Sequence, residues 1–164
     1  MMSSVSLQKL LWISHKIKIM DKTNYYMQKA IEQAGQVEGE IPVGAVVVKN
    51  DEIISCAFNT KEQDKDVTSH AEIIAIQKAS KLLNNWRLDG CDLYVTLEPC
   101  PMCGWAILQS RVNNVYFGSY DNQYGAFSVA NLDKISDSKT KIYGGICEKE
   151  CDNMLEVFFD NLRR

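Results

Sequence analysis

The sequence has no excess of basic charge. Its 164 residues carry 18 lysines and arginines against 21 acidic residues, for a net charge of −3. No global positive field draws nucleic acid to it, so a polynucleotide would have to be held by a local patch. A membrane-spanning run is also missing. The N-terminal apolar stretch Leu10-Leu11-Trp12-Ile13 is broken by Ser14-His15-Lys16, far short of the ~20 residues that a spanning helix needs. That stretch lacks a small-residue cleavage site, which argues against a secretory signal. Nor is there a disulfide framework. The six cysteines stand scattered at 56, 91, 100, 103, 147 and 151, which points to a reducing, cytoplasmic setting. No internal repeat or low-complexity linker divides the chain. Its length and its 46% apolar content fit one ordinary domain with a real core.

What is present is a concentrated set of metal-ligating types. His70-Ala71-Glu72 is followed thirty residues later by Pro99-Cys100-Pro101-Met102-Cys103. A helix starting near Pro101 puts the sulfurs of Cys100 and Cys103 on one face of its first turn. The helix start favours thiolates through its unpaired N–H groups and dipole. With His70 they make three N/S ligands. A structural zinc site closes its fourth position with another protein ligand, whereas a catalytic one keeps it open. Glu72 is left uncommitted, as the acid/base that a zinc-activated water requires. His70 and Glu72 are two apart and do not share a helix face. The histidine is expected to point at the metal and the glutamate into the cavity beside it. The N–H groups of Ala71 and Glu72 are expected to be free for a ligand. A lone C-x-x-C is often redox-active or half of a zinc ribbon, and a lone H-x-E is mostly chance. The ordered combination is much more specific.

Along the chain, residues 1–20 contain Lys9, Lys16 and Lys18 but no acid. They are expected to be a disordered or non-essential extension, with an amphipathic surface segment as the weaker alternative. Residues 21–164 form the domain. A helix is expected at 23–35, from the spacing of Tyr26, Ala30, Ile31 and Ala34. Strands are expected at 42–48 and 53–58, joined by a turn at Lys49-Asn50-Asp51. A polar connection leads to the His70 helix, capped by Thr68 or Ser69. Its buried side is read as Ile73, Ile74, Ile76, Ala79, Leu82 and Leu83. Then come a strand at 93–97, a helix at 101–110, a strand at 115–118, and a loop with Asp121 and Gly125. A short edge strand at 141–143 and a helix at 148–162, with Cys147 and Cys151 as core packing, complete the pattern. Strand–helix alternation after a hairpin implies an α/β fold with a mixed sheet and helices on both faces.

These residues resemble the zinc nucleobase deaminase signature. More narrowly, the chain from about residue 24 onward resembles the bacterial tRNA-specific adenosine deaminases. Further resemblance lies in Ile41-Pro42-Val43-Gly44-Ala45, Thr96-Leu97-Glu98-Pro99-Cys100, Gln109-Ser110-Arg111-Val112, Tyr116-Phe117-Gly118 with Asp121 and Gly125-Ala126, and Phe158-Phe159. The resemblance implies a three-layer α/β/α cytidine deaminase-like fold, a homodimer, and one Zn²⁺ per subunit held by His70, Cys100 and Cys103. It implies Glu72 as proton shuttle and conversion of adenosine to inosine at the wobble position of a tRNA anticodon stem-loop. Asn59 would hold the flipped base and Asp121 the nucleotide beside it. Of the terminal aromatics, Phe158 falls in line with Cys151 and Leu155 and reads as core. Phe159 lies off that stripe and reads as the RNA contact. Arg163 and Arg164 could pair with phosphates. Two readings compete: a deaminase of free guanine, cytosine or cytidine, which the acidic charge favours, and a non-catalytic zinc-stabilised or RNA-binding module, which the intact Glu72 disfavours.

Overall fold

A computed structural model describes residues 4–164. In chain order the elements are α1 (Ser4–Ala34), β1 (Gly44–Lys49), β2 (Glu52–Phe58), α2 (Lys61–Asp64), α3 (Ala71–Leu83), β3 (Cys91–Leu97), α4 (Pro101–Gln109), β4 (Asn114–Ser119), α5 (Leu132–Ile135), β5 (Lys141–Tyr143) and α6 (Glu148–Leu162). The five strands make one mixed sheet in the order β2-β1-β3-β4-β5. β1 pairs antiparallel with both β2 and β3, and β3, β4 and β5 run parallel. The parallel pair β3–β4 needs a crossover, and α4 supplies it.

The sheet is covered on both faces, so its central strands read as continuous apolar runs. The alternation inside β1 shows how. Ala45 and Val47 belong to one core with Ala71, Ala75 and Ala79 of α3, Ile107 and Leu108 of α4, and Leu93, Val95, Val115 and Phe117. Val46 and Val48 face the other core with Tyr26, Met27 and Ala30 of α1, Tyr94, and Cys151 of α6. This is the three-layer α/β/α arrangement. Each fully buried Val, Leu or Ile contributes roughly 1.5–3 kcal/mol. On the α1/α6 face, Tyr94, Tyr116 and Tyr143 occupy matched register positions on three adjacent strands. Their rings stack with centroids 4.6 and 5.0 Å apart.

Local chemistry sets the joints. Asn50 and Asp51 both have positive φ, 50° and 63°, the two-residue turn that matches strand twist in a hairpin. Gly118 in β4 is a close-approach glycine. A Cβ there would strike Cys151 Sγ and Thr96 O, so α6 can lie directly on the strand.

Several expectations need correction. The first helix begins at Ser4, because residues 4–20 contain no glycine or proline to interrupt it; residues 1–3 lie outside the described residues. A single helical turn, α2, interrupts the polar connection. α3 buries its alanines, while Ile73, Ile74 and Ile76 are half-buried and Leu82 is 64% exposed. The close approach of the helix to the sheet selects the small side chains spaced four apart. The region 128–132 leads into the short α5.

Candidate active site

The site lies where β3 ends and α3 and α4 begin, at the carboxyl end of the parallel strands, the usual ligand position in such sheets. His70 is the N-cap of α3 and Cys100 the N-cap of α4, both in extended conformation, with Pro101 at the first helical position. Cys103 follows in the first turn of α4 and is fully buried. Thus two helix N-termini present their ligands to one point. His70 Nδ1 lies 3.7 Å from Cys100 Sγ and 3.4 Å from Cys103 Sγ. All three donor atoms fall within 4.8 Å of one another. Zn–N near 2.0–2.1 Å and Zn–S near 2.3 Å at a tetrahedral angle put N and S roughly 3.6 Å apart. The donor set and its spacing therefore fit zinc.

The electrostatics agree. The Cys100 thiol is pulled down to about 4, first by a hydrogen bond from Cys103 and then by His70. Cys103 is pushed up, first by that same bond to Cys100 and then by burial. Two sulfurs this close ionise together only beside a counter-charge, which a dication provides. His70 is raised, chiefly by its hydrogen bond with Cys100.

Glu72 sits in the first turn of α3 and is 4% exposed. Burial raises its carboxyl to about 7. It lines a cavity of about 440 Å³ together with His70, Cys100, Asn59, Asp121, Phe158 and Phe159. Five of the sequence-predicted residues thus share one cavity wall with Glu72. The rings of Phe158 and Phe159 meet edge-on, 5.3 Å apart. Phe158, expected in the core, is half-buried and lines the cavity beside its neighbour, because the turn of α6 that carries both phenylalanines borders the cavity.

Two expectations at the α3 start fail. Neither Thr68 nor Ser69 is the cap; His70 holds that position and makes no side-chain cap bond. The N–H of Ala71 is not free: it donates to Asn59 Oδ1 at 2.9 Å, and its side chain is fully buried. Asn59 Nδ2 in turn donates to the carbonyl of Ile41 at 3.1 Å. Asn59 therefore ties the loop before β1 to the metal-bearing helix. It keeps one N–H and one carbonyl lone pair for other partners.

Asp121 heads a turn, accepting the N–H groups of Gln123 and Tyr124 on Oδ1 at 2.9 Å each. Its own N–H donates to Glu98 Oε2 at 3.1 Å. Glu98, 2% exposed, went unassigned in the sequence. Its one local signal is an acid just past the end of β3, directly before Pro99-Cys100.

Residues 20–119 match the model of the cytidine and deoxycytidylate deaminase zinc-binding region. The chain is 43% identical over 150 residues to the tRNA-specific adenosine deaminase of Bacillus subtilis, covering 88% of this chain and 93% of that one. It is 41% identical over 145 residues to the protein of the same name from Aquifex aeolicus, covering 85% and 95%. A solved structure from work on A-to-I editing by tRNA:A34 deaminases at the wobble position of transfer RNA superposes with a TM-score of 0.76 at 35% identity, over 80% of this chain and 99% of that one. With the zinc-ligand geometry in place and similarity running nearly end to end through its relatives, the chain belongs to the zinc-binding cytidine and deoxycytidylate deaminase family.

Proposed function

We propose that this protein hydrolytically deaminates adenosine to inosine at the wobble position of a tRNA anticodon. The observation that carries the chemistry is Glu72, buried beside the His70, Cys100 and Cys103 donors at a cavity wall. His70, Cys100 and Cys103 would hold one zinc per subunit, and that zinc would supply a water of lowered pKa. Glu72, buried against these donors, is placed to accept and release protons beside that water. As the water oxygen adds to C6, Glu72 takes the water's proton and passes it to N1. It then moves the remaining hydroxyl proton to the amino nitrogen. The C6–N bond breaks, ammonia leaves and the C6 carbonyl forms.

The rest of the cavity binds and orients. A stacked base cannot reach Glu72 and must be flipped out of its loop. Asn59 offers its spare N–H and lone pair to the flipped base. Asp121 faces the adjoining nucleotide. Phe159, 40% exposed, gives a neighbouring base a stacking surface, and Phe158 extends it. The tRNA names of the relatives support this substrate over a free base.

Further parts of the reading rest on coarser support. We assign catalysis to residues 21–164 and treat residues 1–20 as an extension, in keeping with a family match that begins at residue 20. A homodimer is favoured by Met102 and Trp105, which α4 leaves exposed; a monomer in sedimentation would overturn it. A cytoplasmic location suits a tRNA substrate and six cysteines that form no disulfide. Among the described residues no helix is long and apolar enough to cross a membrane.

The deciding assay offers the zinc-loaded protein an anticodon stem-loop with wobble adenosine beside free guanine, cytosine and cytidine. Inosine in the RNA and no ammonia from the small substrates is the expected result. The reverse outcome makes it a free-base or nucleoside deaminase.

A further inference from the structure

The cavity wall opposite α3 is held by a group with no assigned role. Glu98 ends the β3 segment two residues before the ligand Cys100, and its carboxylate is buried under the 121–128 loop. Oε1 accepts the N–H groups of Phe127 at 3.1 Å and Ser128 at 2.7 Å. Oε2 accepts the Asp121 N–H at 3.1 Å and the Ser128 hydroxyl at 2.7 Å. Four donors converge on one carboxylate, and such charge-assisted bonds are the stronger kind. The backbone continues the link on both sides. Glu98 N donates to Ser119 O at 2.8 Å, and Ala126 N donates to Pro99 O at 2.9 Å. Gly125 completes the fit, because a Cβ there would run into the Glu98 carboxylate and the Asp121 carbonyl.

We propose that Glu98 is a positioning residue for substrate: it fixes the Asp121 turn to the strand that carries Cys100, so that the nucleotide beside the reacting base is held in register with the zinc and Glu72. It lines the same cavity, but both carboxylate oxygens are taken up by these four donors. It acts through Asp121, the cavity residue whose backbone it holds. This deepens the tRNA reading above and rests on it.

The bond pattern supplies a selective test. In Glu98→Gln the amide oxygen takes the Oε1 place and keeps Phe127 and Ser128 N–H. The amide nitrogen then meets the Ser128 hydroxyl, which can turn to accept, and the Asp121 N–H, which cannot. Only the Asp121 link is lost. Ser128→Ala is the control, removing one bond to Oε2 while leaving the Asp121 link. Zinc content, thermal midpoint, kcat and KM are measured on the stem-loop for the full-length, zinc-loaded proteins. The expected result for Glu98→Gln is a KM raised about tenfold, the effect of losing one charge-assisted bond, with zinc stoichiometry and kcat kept. Ser128→Ala should leave KM within about twofold. A merely structural glutamate would lower the midpoint or the active fraction in both variants and leave KM alone; that result overturns the proposal. If Glu98→Gln does not fold, Glu98→Asp, which keeps the charge but draws the carboxylate back from the Asp121 N–H, takes its place, with raised KM supporting the proposal and unchanged KM overturning it. Hydrogen exchange at the Asp121 amide separates the two claims. Failure of the unaltered protein on the stem-loop, with Asp121 protected and then deprotected in Glu98→Gln, would sink the substrate reading and keep the clamp. Equal exchange in both proteins would sink the clamp itself.

Discussion

Asn59 accepts the N–H of Ala71 across 2.9 Å, twelve residues along the chain. It therefore caps the helix that carries His70 and Glu72, a task that His70, at the N-cap itself, leaves undone. A helix start with orphan N–H groups is satisfied here from another loop. Asn59→Ala should cost about 1 kcal/mol of stability, the usual value of an N-cap side chain. Asn59→Asp keeps the acceptor for Ala71 but sets an oxygen against the Ile41 carbonyl, so it should recover only part of the loss. Chemical denaturation of the three proteins reads the difference. Equal midpoints for Asn59→Ala and the unaltered protein would mean that the bond carries no weight.

Glu72 should be separable from the metal it adjoins. Glu72→Ala leaves His70, Cys100 and Cys103 untouched, so zinc content should stay at one per chain. Turnover should fall by about 10²–10⁴, the span that a positioned proton-transfer group supplies. Metal analysis and ammonia release on the same sample check both halves. Retained activity would remove Glu72 from the mechanism.

The ligand set should behave as a unit of folding as well as of catalysis. Removing zinc with a chelator, or replacing Cys103 by Ser, should abolish turnover and lower the thermal midpoint. A ligand that binds only the folded state stabilises it by RT ln(1 + [L]/Kd), about 4 kcal/mol at a thousandfold excess over Kd. Cys147→Ser is the contrast. That cysteine lies between α1 and α6, away from the three donors, and its loss should leave zinc content unchanged. Loss of zinc in that variant would mean that the metal is bound elsewhere.

The meeting of His70, Cys100 and Cys103 at one point was legible because coordination chemistry constrains residue type and spacing together. Cys100 and Cys103 had to share a helix turn, and His70 was the histidine that stood with a glutamate. The strands were legible from β1, whose valines serve two cores at once. What stayed hidden depended on distance between segments. Nothing near α3 announces that its cap is Asn59, or that Ala71, Ala75 and Ala79 outrank the isoleucines, since that follows from how closely the helix meets the sheet. The role of Glu98 is invisible in its own motif, because its four donors lie 23 to 30 residues further on. Phe158 read as core from a helical stripe that does not register where α6 crosses the cavity.

The two terminal phenylalanines should divide the work of RNA binding measurably from that of folding. Phe159 is 40% exposed while Phe158 is half-buried, so truncation at 159 removes less packing. Phe159→Ala should therefore leave the thermal midpoint nearly unchanged and weaken stem-loop binding by ~1–3 kcal/mol, the value of one base–aromatic stack. Phe158→Ala should weaken binding and also lower stability, because its ring supports both its neighbour and the cavity wall. Phe159→Tyr keeps a stacking face and should bind like the unaltered protein. Binding isotherms at one fixed salt concentration, read beside thermal melts, make the comparison. If both alanine variants bind the stem-loop as tightly as the parent, the terminal helix lines the cavity without touching RNA.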